Sequence, residues 1–99
     1  MTNEELALLI KQGQKEHYGE LWENTKRLFF RYANRFYCGN AESCTSAGVE
    51  YDDVIQSCFL VLVDVVRAYE PEKGYKLSTY IRYHFKNRMK ALINGGLSC

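Results

Sequence analysis

The feature that most limits what this 99-residue chain can fold into is its near lack of proline: one occurs, Pro71. Proline breaks a helix interior because it lacks an N–H donor and its ring clashes with the preceding turn. With one such breaker, long uninterrupted helices are open to the chain. Apolar residues recur at helical spacing on both sides of Pro71, so the expectation is an all-α protein, a compact bundle of about four helices. The length suits one helical domain, residues 1–99, with a modest core.

The helices can be placed from their ends. Thr2 and Glu5 have capping-box spacing ahead of Leu6, Leu9 and Ile10, which predicts a helix over about 3–13. A second helix is expected over about 15–37. Tyr18, Leu21, Trp22, Thr25, Leu28, Phe29, Tyr32 and Phe36 make its apolar stripe, with Trp22 read as core. Residues 39–50 lack periodicity and are rich in Gly, Ser, Ala, Asn and Thr, so a loop is expected. The third helix, about 51–69, opens on Asp52 and Asp53, acids that suit a positive helix N-terminus. Its valine-rich body would also tolerate a strand. The unbroken length favours a helix, greasy enough to be central. Pro71 ends it and Lys73-Gly74 turns the chain. Ser78 is the expected N-cap of a last helix over about 78–93, with Ile81, Phe85, Met89 and Leu92 inward and Asn94-Gly95-Gly96 as its stop.

The charge reverses at the proline. From Glu50 to Glu72 there are six acids and one base; from Lys73 to Ile93 there are six bases and no acid. The net charge of +1 conceals this sorting. Bases with interleaved tyrosines suit a phosphate backbone and stacked nucleobases. The acidic segment beside them suggests a second, different partner. Arg27, Arg31 and Arg35 form another row on the second helix. A solvated face is the commoner meaning of such a row and nucleic-acid contact the rarer.

Several classes find no support. There is no Ser/His/Asp order, phosphate loop or HExxH, so an enzyme is not expected. Cys38, Cys44, Cys58 and Cys99 do not match zinc-knuckle spacing, and no metal or cofactor is expected. Cys58 reads as a small core residue. The first residues are acidic and precede no signal-like apolar run, which makes a cytoplasmic chain with reduced thiols the expectation. No apolar stretch approaches the roughly 20 residues of a membrane span.

Asp52-Asp53-Val54-Ile55-Gln56, the apolar helix after it, and Tyr69-Glu70-Pro71-Glu72-Lys73-Gly74-Tyr75-Lys76-Leu77-Ser78-Thr79-Tyr80-Ile81-Arg82 resemble the second conserved region of bacterial sigma factors. The match keeps its register from Asp52 to about Lys90. The resemblance implies a transcription-initiation factor domain. Such a domain binds core RNA polymerase and recognises and melts the promoter minus-ten element by capturing non-template bases. Asp52, Asp53, Gln56 and Ser57 would then meet the clamp helices of the polymerase's largest subunit. Tyr75, Leu77, Thr79, Tyr80, Tyr83 and His84 would fall where the family captures unpaired bases, and Asn87 where it reads the duplex edge. Lys76, Arg82, Lys86, Arg88 and Lys90 would hold phosphates. An anti-sigma factor is a further partner the resemblance allows.

The departures shape the expectation. Ser57 stands where the family often has an acid, Leu77 replaces an aromatic, and Tyr83-His84 replace the two tryptophans of housekeeping members. Those changes suggest a specialised member. The family's helix-turn-helix for the minus-thirty-five element does not occur before Cys99, so a fragment of a longer protein is expected. The competing reading is a polymerase-binding adaptor without promoter opening.

Overall fold

The computed structural model describes the backbone of residues 1–98 and the side chains as far as Asn94, so Cys99 lies outside the described residues. Five α-helices carry the described chain: α1 (Asn3–Lys11), α2 (Tyr18–Gly39), α3 (Ala41–Ala47), α4 (Tyr51–Ala68) and α5 (Leu77–Ser98). Short 3-10 turns at Lys15–His17 and Pro71–Lys73 lead into α2 and out of α4. The all-α expectation holds.

α1 begins on the capping box read from the sequence. The Glu5 N–H donates to Thr2 Oγ1 at 3.1 Å and the Thr2 N–H to Glu5 Oε1 at 3.0 Å. The Thr2 N–H, and after it the Thr2 hydroxyl, hold the Glu5 carboxyl below its usual range. At the start of α4 the Glu50 N–H donates to the Asp53 carboxylate at 2.8 Å. Two acids in that turn also complement the helix dipole.

α4 forms the centre. Val54, Cys58, Val61, Leu62 and Val65 are fully buried along it, and it packs against α1, α2 and α5. Leu6, Leu21, Phe29, Ile81 and Met89 come in from those neighbours. Burying each such large side chain contributes roughly 1.5–3 kcal/mol. Ile81, Phe85 and Met89, four apart, aim one side of α5 at this core. The other side of α5 is thereby turned outward.

Four features differ from the sequence expectation. Residues 39–50 are not a plain loop, because Ala41–Ala47 coil into α3. Cys44 and Val49 are buried and anchor it. Gly48 sits at φ 72, its N–H bonds Thr45 O at 3.1 Å and the Val49 N–H bonds Cys44 O at 2.8 Å. This Schellman closure satisfies carbonyls that the helix end would otherwise leave bare.

Second, α5 starts at Leu77, so Ser78 lies within the first turn instead of capping it. The Leu77 N–H is met by a distant group, Glu4 Oε2, at 2.8 Å. Third, Gly95 and Gly96 do not stop α5, which continues to Ser98. Glycine weakens a helix by about 1 kcal/mol against alanine but, unlike proline, breaks no hydrogen bond. Fourth, α4 is not covered all round: Phe59 and Leu60 are 44% and 50% exposed.

Candidate nucleic-acid and partner surfaces

The residues around Pro71 build a hollow. α4 ends at Ala68, Tyr69 turns inward, and Glu70 leads into the Pro71–Lys73 turn. Gly74, at φ 76, closes that turn by donating its N–H to Pro71 O at 3.1 Å. A left-handed residue is needed there, and glycine takes it without steric cost. The chain then re-enters α5 with Tyr75 and Tyr80 facing one another. The result is an open hollow of about 500 Å³.

Five residues expected at DNA from the sequence line this hollow: Tyr75, Thr79, Tyr80, Tyr83 and His84. Tyr75 and Tyr80 rings lie 6.5 Å apart at 73°, forming a corner. Tyr80 is half-buried, with its ring 5.4 Å from Tyr69 and its hydroxyl 3.4 Å from both the N and O of Glu70. It is a fixed wall. Tyr75 and Tyr83 are 59% and 64% exposed and leave their faces open. Tyr83 and His84 meet edge-on at 5.3 Å.

Ala68, Glu70 and Lys73 complete the lining and were not singled out as site residues from the sequence. Their signal was the turn itself, which brings the end of α4 against the first turns of α5. Glu70 and Lys73 form an ion pair at 3.5 Å at the hollow. Each is substantially exposed, so the pair adds little stability. It does put an acceptor and a donor beside the tyrosine rings.

The remaining DNA candidates are divided. Arg82, Lys86 and Lys90, four apart, form one exposed row on α5. Asn87 is exposed one turn beyond Tyr83. Lys76 is exposed just before α5 begins. Arg88 differs: its Nη2 donates to Asp64 Oδ2 at 2.6 Å. In this structure its guanidinium ties α5 to α4, with both side chains about one-third exposed. Leu77, placed among the base-capturing positions by resemblance, is buried in the core, because the start of α5 is anchored through it.

The acidic candidates lie at the start of α4. Asp52 and Gln56 are exposed on one face, while Asp53 is half-buried and occupied with the helix start. Ser57 is only 7% exposed, and its hydroxyl donates to Asp53 O at 2.9 Å. It faces its own helix and leaves the outward ridge. That ridge instead continues from Asp52 and Gln56 to Phe59 and Leu60, which helical spacing places on the same side. Phe59 lies 6.0 Å from the rings of both Tyr18 and Trp22, and Trp22 lies 6.0 Å from Phe30. Trp22 is thus half-buried at the edge of an apolar patch instead of wholly core. Reading α4 as fully central hid Phe59 and Leu60; their position opposite Val54, Cys58 and Val61 was the available clue.

Among the described residues no group of His, Cys, Asp and Glu is arranged to hold a metal ion. None of the described helices is long and apolar enough to cross a membrane.

A helical bundle with an acidic-apolar ridge on one helix and a cationic, tyrosine-lined surface on the next has the layout of a nucleic-acid-handling domain with a separate docking face. Comparison with protein families makes this particular: Sigma-70 region 2 matches residues 21–94, and the chain belongs to that family. It is a sigma factor domain of the kind involved in polymerase binding and promoter recognition. No curated protein and no solved structure matches the chain.

Proposed function

We propose that this domain holds unpaired non-template bases of the minus-ten element in the hollow between α4 and α5, while the outer ridge of α4 docks on the clamp helices of the polymerase's largest subunit. One observation carries the DNA half. Tyr75, Thr79, Tyr80, Tyr83 and His84, drawn from a turn and two turns of helix, converge on a single hollow of about 500 Å³.

Extruding a base costs a few kcal/mol of lost stacking. Each stacked aromatic returns ~1–3 kcal/mol, so two open tyrosine faces are enough to offset one extrusion. Lys76, Arg82, Lys86 and Lys90 supply the sequence-independent attraction. Four phosphate contacts to a single strand give a salt slope of about −3 in log K against log salt. Asn87, with an amide that donates and accepts, reads a base edge where the strand is still paired.

On the polymerase side, Asp52 and Gln56 form a polar margin beside Phe59 and Leu60. An apolar centre with a polar rim is the usual anatomy of a protein interface. Asp53 supports this ridge by holding the start of the helix.

Fluorescence anisotropy with a labelled non-template minus-ten oligonucleotide tests the first half. Tyr75→Ala and Tyr83→Ala are expected to lose ~1–3 kcal/mol each. Their exposure keeps the fold out of the comparison. Unaltered affinity in both variants would refute base capture in this hollow. Retention on core polymerase tests the second half, with Asp52→Lys and Leu60→Asp expected to reduce it. Polymerase retention with no oligonucleotide binding at any salt concentration would favour the adaptor reading, to which the lack of tryptophan in the hollow lends some weight.

A further inference from the structure

We propose that the groove between α2 and α5 is a second docking surface, one that takes an acidic amphipathic helix from a protein partner. The groove has a volume of about 560 Å³ and lies on the opposite flank of the Arg82–Lys86–Lys90 row from the tyrosine hollow. Its floor is apolar: Tyr32 and Phe36 from α2, and Phe85, Met89 and Ile93 from α5. The Phe85 ring lies 5.6 Å from Tyr32 and 6.4 Å from Phe36, so the floor is already packed and preformed.

The rim is cationic on both sides. Arg35 stands on the α2 side, and Arg82, Lys86 and Lys90 on the α5 side. No Asp or Glu is among the described residues that line the groove. None of these four cations makes an ion pair with a described residue, whereas Lys26, Lys73 and Arg88 each do. Four uncompensated charges around a greasy trough are a liability in an isolated domain and a recognition pattern in a complex.

The floor and rim together select the occupant. A phosphate backbone satisfies the rim but gains nothing from the partly open Phe36 and Ile93. An uncharged apolar segment covers the floor but leaves the cations beneath a low-dielectric lid. A helix with an apolar stripe flanked by acids satisfies both, by the helix-in-groove mode of anchors at i, i+3, i+4 and i+7. Arg82 to Ile93 spans about 17 Å at the helical rise of 1.5 Å per residue, so the matching partner segment is roughly 11–12 residues long. Arg82, Lys86 and Lys90 also serve the DNA proposed above. Seating such a helix therefore withdraws them from phosphate, and the two ligands exclude one another.

The probe is a synthetic amphipathic helix of about 14 residues, with Leu along one stripe and Glu on both flanks. A scrambled peptide of the same composition controls for charge alone. Amide chemical-shift mapping on the whole chain should place the designed peptide at residues 32–40 and 82–94. Arg35→Glu, and independently Ile93→Asp, should weaken it about tenfold or more, with helical content and melting temperature retained. The scrambled peptide should bind at least as weakly as these variants do. Saturating minus-ten oligonucleotide should displace the designed peptide. That last arm rests on the DNA reading. The mapping and the variants do not, so failure of one proposal is distinguishable from failure of the other.

Four results would overturn the proposal. The designed and scrambled peptides could bind alike. Shifts could map to the Tyr75–His84 hollow. Arg35→Glu could leave the peptide unaffected while weakening duplex DNA, which would give the groove to nucleic acid. Salt-sensitive self-association of the free chain, abolished by Arg35→Glu, would instead make a second copy the occupant.

Discussion

Glu4 holds the proposed base-capturing end of the bundle in place from the far end of the sequence, and its removal should be felt in both stability and DNA binding. Its Oε2 accepts the Leu77 N–H at 2.8 Å across 73 residues of chain. Seven residues on along α1, Lys11 Nζ donates to Tyr69 O at 2.7 Å. α1 therefore grips both stems of the Tyr69–Leu77 connection, one at the end of α4 and one at the start of α5. Glu4 is in effect a long-range N-cap for α5. Losing a capping oxygen costs about 0.5–2 kcal/mol, and an acidic charge near a helix N-terminus is worth a further ~0.3–1 kcal/mol. Leu77 is buried, so water does not readily replace the lost acceptor. Glu4→Ala should therefore cost about 1–3 kcal/mol. At roughly 4–8 °C per kcal/mol for a domain of this size, the melting temperature should fall by at least about 4 °C. Glu4→Gln keeps an acceptor and should recover part of the loss. Thermal unfolding followed by far-ultraviolet circular dichroism measures this, with exposed Glu16→Ala as the control. Oligonucleotide affinity at a temperature where each variant is folded reads the effect on the hollow. If Glu4→Ala melts within a degree or so of Glu16→Ala, the long-range cap is not holding α5 and the reasoning fails.

Three further outcomes follow from the same geometry. Leu62, fully buried on α4, should cost about 2–5 kcal/mol when cut to Ala, read by denaturant unfolding, because the surrounding helices cannot close the void. Burial pushes the Cys58 thiol up to about 11. The folded state thus keeps its proton where an unfolded thiol has lost it, so stability should be full below about pH 9 and fall as the pH rises towards 11; Cys58→Ala should flatten that alkaline limb in urea titrations. Mass mapping after brief iodoacetamide treatment should find exposed Cys38 modified well before buried Cys44 and Cys58.

How far the sequence could be read depended on whether the information was local. The Thr2/Glu5 cap lies within four residues and was legible, as was the i, i+4 series Ile81, Phe85, Met89. α3 was hidden because its anchors, Cys44 and Val49, look unremarkable in a polar stretch. The Ala47-Gly48-Val49 ending was a usable signal for its C-terminus. Ser78 looked the better cap for α5 because propensity ranks side chains near in sequence, whereas the group that meets the helix end, Glu4, arrives through the tertiary fold. The convergence of the tyrosines could be expected from resemblance. The Arg88–Asp64 bond, the inward turn of Ser57 and the exposure of Phe59 could not, since each depends on how α4 is rotated against its neighbours.

That rotation also links the two proposed activities. The docking ridge at Asp52–Leu60 and the hollow edge at Ala68 belong to one uninterrupted helix, so about 18 Å of rigid rod separates Gln56 from Ala68. The Asp64–Arg88 bond at 2.6 Å fastens α4 to α5 between them. Both members are about one-third exposed, so its contribution to stability is modest, about 0–1 kcal/mol. Its greater effect is on register, because an arginine-carboxylate contact has a narrow geometry and resists sliding of one helix along the other. A domain held by its α4 ridge would then present the Tyr75–His84 hollow at a fixed distance and angle from its anchor. Arg88→Met, which removes the bond but keeps an apolar stem, should therefore leave oligonucleotide affinity of the free domain nearly unchanged while lowering promoter opening by the polymerase-bound form. Equal loss in both assays would show that Arg88 acts on DNA directly, and no loss in either would show that packing alone fixes the register.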